Sequence, residues 1–278
     1  MSKMIHMVLE EKFLKGKGAL ITGGASGFGK GFASAYAKRG ADVVIVDINE
    51  ELLNETAKHI SDATGQKIIP KVCNVSDSTQ VKQLVKETFS ELDNVYILNT
   101  NAGIGPSFGK DITRIKENVF DQIINVNLKG QWLVAKEVSR KMKKQDFEPL
   151  AGKIICTASI AGMVVDAGLP IYSISKVGVI AMMQLFARSL APKVTVNSIS
   201  PGYHVTGIYD NREDIMKMTM DEGHVKTPLN RIGTIEDVVN TSLFLASPLS
   251  NFMTGHNLPC DGGIAEVGVP PYYLKSDI

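Results

Sequence analysis

Short apolar runs, each bounded by Gly, Asn, Asp or Pro, alternate along the chain with longer stretches in which apolar residues return every three or four positions. The runs predict strands over residues 18–22, 42–47, 67–75, 95–99, 153–157, 194–200 and 256–259. The longer stretches predict helices over 29–39, 50–64, 78–90, 116–144, 173–190 and 234–246, the last opening on Thr234-x-x-Asp237, close to a capping box. Parallel neighbours need a crossover, and a helix supplies it, so this alternation predicts a doubly wound α/β fold: a seven-stranded parallel sheet with helices on both faces. No linker, repeat or low-complexity stretch divides residues 1–278, which read as one domain.

Two stretches fall outside the alternation. Residues 203–230 are Met-rich and follow the C-terminal end of a predicted strand, the edge where open α/β sheets bind ligands. They read as a substrate lid carrying Ile208, Tyr209, Ile215, Met216, Met218 and Met220, although Met216 and Met220, four apart, suit packing within a lid helix equally well. Residues 264–278 form an apolar tail, with Ile264, Val267, Val269, Tyr272, Tyr273 and Leu274 and no strand to join. A subunit interface would satisfy such a tail.

Composition removes several classes of protein. With 278 residues, 44% hydrophobic and 21% charged, the chain has material for a substantial core and too little charge for disorder. Thirty Lys plus Arg against 29 Asp plus Glu leave a formal charge of +1, no footprint for nucleic acid or an anionic membrane. The basic cluster of Arg140, Lys141, Lys143 and Lys144 falls where a helix should end, and there it complements the helix dipole. Three dispersed cysteines argue for a reducing compartment, and neither they nor the five histidines have metal-ligand spacing, so no metal is expected. No signal-type segment and no apolar stretch of bilayer length is read from the chain, which points to the cytoplasm.

The first predicted strand runs into Thr22-Gly23-Gly24-Ala25-Ser26-Gly27-Phe28-Gly29, and a helix follows. Such a turn needs glycine so that the backbone can approach a pyrophosphate on the helix N-terminus. The second strand ends in Asp47, 20 residues after Gly27, the separation expected of a carboxylate that bonds the adenosine ribose of a dinucleotide.

The spacing Gly23-x-x-x-Gly27-x-Gly29 resembles the glycine turn of the short-chain dehydrogenase/reductase family, whose fold is Rossmann-like. Further matches follow in that family's order: Asn101-Ala102-Gly103, Asn127, Ser159, Tyr172-x-x-x-Lys176, Pro201-Gly202 with Thr206, and Asp261-Gly262-Gly263. The resemblance spans residues 14–263. It implies that Ser159 hydrogen-bonds the substrate oxygen, that Lys176 also holds the nicotinamide ribose, and that Asn127 supports a water relay to Lys176. It further implies a cofactor surface of Gly23, Ser26, Gly27, Phe28, Gly29, Asp47, Ile48, Asn74, Val75, Asn101, Ala102, Gly103, Tyr172, Lys176, Pro201, Gly202, His204 and Thr206.

Tyr172 and Lys176 share one helix face. A free tyrosine, with a pKa near 10, is only about one part in a thousand phenolate at pH 7. Lowering that value by ~2 to 3 units takes ~3 to 4 kcal/mol, and an ammonium at ~4 Å supplies about that much. Tyr172 is therefore assigned as general base in alcohol oxidation and general acid in ketone reduction.

Three positions depart from the family pattern: Asn74 where an Asp is usual, Thr100 before Asn-Ala-Gly where an Asn is common, and His204 in place of a small aliphatic residue. His204 reads as bonding backbone in preference to touching substrate. The cofactor expected is NAD, because Asp47 repels a 2′-phosphate and neither Ser26 nor Ile48 supplies a cation for one. The expected substrate is a bulky apolar secondary alcohol or its ketone, hydroxysteroids and bile acids leading. The ground is the apolar character of Ile104, Pro106, Met163, Val164, Val165 and Leu169 near the motifs. A 3-oxoacyl thioester or a sugar alcohol stands as the alternative, and a non-catalytic dinucleotide sensor as the rival of another class. The resemblance and the tail together imply a homotetramer.

Overall fold

The computed structural model describes residues 12–105, 111–165, 168–206 and 213–269, apart from the side chains of residues 214, 215, 218 and 222. Its strands are β1 (Gly18–Thr22), β2 (Asp42–Asp47), β3 (Ile68–Val72), β4 (Ile97–Thr100), β5 (Gly152–Thr157), β6 (Val194–Pro201) and β7 (Asn257–Cys260). They form one sheet in the order β3-β2-β1-β4-β5-β6-β7, and every neighbouring pair is parallel. This is the sheet the apolar runs predict. Their continuity has a physical reason, since a parallel sheet covered on both faces buries successive residues of each strand.

The two-residue period then sorts side chains between two cores. Leu20, Val44, Val46, Leu98, Ile154 and Cys156 face α3 (Ser78–Glu91), α5 (Gln131–Met142) and α6 (Pro170–Leu190). Ala19, Ile21, Val43, Ile45, Ile97 and Ile155 face α1 (Gly27–Lys38), α2 (Glu50–Thr64) and α8 (Ile235–Ala246). All twelve of these strand residues are buried, ten of them with no exposed surface. The expected cap of α8 is present as a full capping box, with Thr234 and Asp237 each accepting from the other's backbone.

Three expectations change. The third strand is shorter than residues 67–75: it lies at the sheet edge, where Pro70 removes no ladder bond that a central strand would need. The single helix expected over 116–144 is α4 (Glu117–Ile124), a π-helical segment Asn125–Gly130, and α5. And α6, with an 18-residue window of mean hydropathy 1.3, is long and apolar enough to cross a membrane, contrary to the sequence reading. Half of it is buried against β6 and the turn after β5, as befits a core helix. The lid region contains α7 (Glu213–Lys226), and α9 (Ile264–Val267) begins the tail. Ile208, Tyr209, Pro106 and residues 270–278 lie outside the described residues.

Candidate active site

The order β3-β2-β1-β4 reverses direction between β1 and β4, and the crevice at such a switch point is where doubly wound sheets hold ligands. Most of the sequence motifs fall at the C-terminal ends of strands, and so along one edge, while Asn127 lies in the π-helical segment and Tyr172 and Lys176 on α6. The glycine turn follows β1, Asp47 ends β2, Asn74 follows β3, Asn101 follows β4, Ser159 follows β5, and Pro201 ends β6.

The glycine turn is tight enough to require its glycines. Gly23 (φ +67°) and Gly27 (φ +51°) have left-handed backbones, and a Cβ on Gly29 would fall on the Gly23 carbonyl oxygen. Ser26, the N-cap of α1, gives the helix no side-chain cap. The first N–H groups of a helix have no intrahelical partner, so this start suits an anion. Asp47 closes the turn from the other side: Oδ2 accepts from Ala25 N at 3.2 Å, and Oδ1 from Ile48 N and Asn49 N at 2.8 and 3.2 Å. Asn101 clips the turn to the middle of the sheet. Its Nδ2 donates to the carbonyls of Thr22 and Gly23, and its Oδ1 accepts from Thr157 Oγ1 at 3.1 Å. The turn packs so closely that a Cβ on Gly24 would meet Ile45, and its uncapped helix start fits the pyrophosphate of a dinucleotide.

Asn74, the first departure from the family pattern, spends its Oδ1 locally on Ser76 N and Oγ. Val75 is buried, and a Cβ on Gly130 would come within 2.7 Å of it, so the chain after β3 packs on the π segment. That segment turns Asn127 fully inward, where its amide grips Ile104: Oδ1 accepts from Ile104 N at 2.8 Å and Nδ2 donates to Ile104 O at 3.2 Å.

Ser159 has extended backbone (φ −170°), and its Oγ accepts from Ala161 N at 3.2 Å. The turn after it presses onto α6, since a Cβ on Gly162 would stand 2.7 Å from the Lys176 carbonyl carbon. The Tyr172–Lys176 pair is therefore packed beside the Ser159 turn, as the family's order implies. Lys176 Nζ lies 5.5 Å from the centroid of the Tyr172 ring and donates to Thr157 O at 2.9 Å. Burial pushes the Lys176 ammonium down to about 8, with the nearby Cys156 pulling the other way. Cys156 itself is a buried strand residue whose thiol burial raises to about 11.

His204 is buried and does not line an open surface. Its ring meets Phe28 edge-on, with centroids 5.3 Å apart and planes at 78°, and it fills the space that a Cβ on Gly233 would occupy. Burial lowers its pKa, and a backbone bond with Gly202 opposes that shift. Two candidate cofactor residues 176 positions apart thus come together. Gly202 N donates to Cys260 O at 3.0 Å, and Thr206 is half-buried. Of the apolar residues expected to meet substrate, Val164, Val165 and Met220 are exposed, whereas Ile171 is buried.

Two buried polar residues escaped the sequence reading, one at this site and one away from it. Gln131 is buried with its amide bonded to both Thr100 and the Thr157 carbonyl, and its place four residues after Asn127 was the available signal. Lys153, almost wholly buried at the other end of β5, gave no signal beyond starting a predicted strand.

The sheet order places the protein among the doubly wound α/β proteins. Known proteins narrow this further. A family model described as enoyl-(acyl carrier protein) reductase matches residues 23–265. The 3-oxoacyl-[acyl-carrier-protein] reductase of Thermotoga maritima is 36% identical over 252 residues, which cover 90% of this chain and 98% of that protein. Among solved structures, a short-chain type dehydrogenase/reductase from Mycobacterium marinum has 34% identity and a TM-score of 0.83, over 92% of this chain and 98% of that one. A 3-ketoacyl-(acyl-carrier-protein) reductase from Brucella melitensis, complexed with NADH, has 30% identity and a TM-score of 0.80, over 91% and 99%. The chain belongs to the short-chain dehydrogenase/reductase family and is an oxidoreductase.

Proposed function

We propose that the protein is an NAD(H)-dependent oxidoreductase interconverting a secondary alcohol and a ketone, with 3-oxoacyl thioesters and their 3-hydroxy counterparts as the leading substrate class. The observation that carries the reaction type is the buried Lys176 ammonium beside the Tyr172 ring, packed on the turn that holds Ser159. A cation placed beside the ring favours the phenolate form of Tyr172. Tyr172 then takes the alcohol proton in oxidation and returns one to the ketone oxygen in reduction. Ser159 Oγ donates to the same oxygen and holds it within reach of Tyr172. Asn127 keeps the chain after β4 in place and supports a water beside Lys176.

The cofactor would rest on the turn of Gly23, Ser26, Gly27, Phe28 and Gly29, with Asp47 and Ile48 at the adenosine ribose and Asn74 and Val75 at the adenine. Asn101, Ala102, Gly103, Lys176, Pro201, Gly202, His204 and Thr206 would follow it toward the nicotinamide. When bound, it supplies the hydride donor or acceptor. A carboxylate at Asp47, already holding three backbone N–H groups, favours a ribose hydroxyl over a 2′-phosphate.

For the substrate, likeness to the Thermotoga and Brucella 3-oxoacyl reductases supports the thioester. The hydroxysteroid expected from the apolar lining finds no support among these relatives, and exposed apolar residues such as Val164 and Val165 suit an acyl chain equally well. Exposed Val267 and Val269 in the tail support the homotetramer, and unpaired cysteines a reducing compartment such as the cytoplasm.

The test is a substrate panel followed at the nicotinamide absorbance: a 3-oxoacyl thioester, a hydroxysteroid, a simple aryl carbinol and a hexitol, each with NAD(H) and NADP(H). The thioester with NADH should be the most efficient pair, and Tyr172→Phe should abolish turnover while NADH affinity stays within about threefold. A clear win for the hexitol or hydroxysteroid overturns the substrate, and about a tenth of the activity surviving in Tyr172→Phe overturns the mechanism.

A further inference from the structure

We infer that Gln131 is a positioning residue for Lys176, acting through the carbonyl of Thr157 and held in turn by Thr100. The inference rests on the role proposed for Lys176. Thr157 O accepts two donors, Lys176 Nζ at 2.9 Å and Gln131 Nε2 at 3.1 Å. On its far side Gln131 Oε1 accepts from Thr100 Oγ1 at 2.9 Å, and Thr100 is also bonded to the Cys156 thiol. All of these side chains are buried.

The direction of each bond is forced from one end. A carbonyl only accepts, so the Gln131 NH2 must face Thr157, its Oε1 must face Thr100, and the Thr100 hydroxyl must donate to it. A chain of bonds running one way reinforces itself in a buried setting.

Two effects on Lys176 follow. The amide occupies the second lone pair of the Thr157 carbonyl and so fixes the peptide to which the ammonium is tied. It also brings the positive end of its dipole to that oxygen, which weakens the acceptor and holds the ammonium nearer to losing its proton. The groups facing Lys176 are few: Cys156 on β5, the Tyr172 ring on α6 and the carbonyl itself. Thr100, where the family commonly has Asn, is the residue that orients the amide, which gives that departure a purpose.

The experiment follows the Lys176 side chain by lysine-selective NMR in the cofactor-free protein, assigned with Lys176→Met, alongside the pH profile of turnover. In Gln131→Leu the Lys176 titration should move up by about half a pH unit, roughly threefold in proton affinity, and the basic limb of the profile should move with it. Thr100→Val should shift it the same way by less, and Thr100→Ser should restore the wild-type value. An unmoved titration in folded Gln131→Leu, whatever its loss of stability, overturns the inference. If that variant does not fold, an unmoved titration in Thr100→Val does the same. Absence of any alcohol or ketone turnover in the wild type would sink the proposed reaction, while the NMR titration still decides the role of Gln131.

Discussion

Replacing Lys176 by Met should abolish turnover and stabilise the fold. The folded protein keeps this lysine with 3% of its surface exposed, and burial lowers its pKa from 10.5 to about 8. A drop of that size corresponds to about 3 kcal/mol lost to holding the cation out of water. Methionine has similar length and no charge, and the one bond it forgoes, to Thr157 O, is worth about 1 kcal/mol. Gln131 still satisfies that carbonyl, so no orphaned acceptor adds to the loss. The net gain is about 2 kcal/mol at neutral pH and below. Its pH dependence has a definite sign. Between pH 8 and 10.5 the unfolded chain holds a proton that the folded one has released, so wild-type stability rises through that window. The penalty is therefore complete below pH 8, shrinks by about 1.4 kcal/mol per unit above it, and is gone near 10.5. Urea unfolding of the cofactor-free protein at about pH 6.5 and 9.5 measures it. The variant should lead by about 2 kcal/mol at the lower pH and be level at the higher. A variant less stable at the lower pH, or a difference that ignores pH, would refute the reasoning.

Two other perturbations probe separate parts of the molecule. Lys153 donates to Ser247 O at 2.7 Å and Ser250 Oγ at 2.8 Å, yet burial, with the Lys17 cation adding to it, lowers its pKa to about 7. Lys153→Met should therefore stabilise the fold most below pH 7, with the advantage fading toward pH 10.5 in thermal unfolding and activity preserved. Asp47→Ala removes the carboxylate that gathers Ala25, Ile48 and Asn49, and it should cost about tenfold in kcat/KM with NADH and much less with NADPH. Equal losses with both cofactors would contradict the role given to Asp47.

How much of this was legible in the sequence depends on where the deciding forces act. The cores of β1 and β2 were, because Ala19, Leu20 and Ile21, like Val43 through Val46, are apolar without interruption and both faces are covered. The candidate site was legible as far as its residues follow strand ends, which holds for the glycine turn, Asp47, Asn101 and Ser159. What stayed hidden depends on partners distant in the chain. Nothing between 116 and 144 announces the π segment, which goes with the grip of Asn127 on the distant backbone of Ile104. His204 reads as bonding backbone, but its enclosure by Phe28 and Gly233 is not visible in the sequence. The polar residues Gln131 and Lys153 look unremarkable until their acceptors, main-chain carbonyls above all, are known.

The π segment sets a phase. A π turn carries one more residue than the α-helical turn it replaces, and each residue of an ordinary helix advances the side chains by about 100°. Everything on α5 is thus clocked against α4 by that surplus residue. Losing a single residue between Asn125 and Gly130 would leave an uninterrupted helix of better local geometry in which Asn127 and Gln131 no longer point at Ile104 and Thr157 together. The irregular turn therefore acts as an offset between two registers, one for packing against the sheet and one for aiming at the site, and a more regular helix would serve only the first.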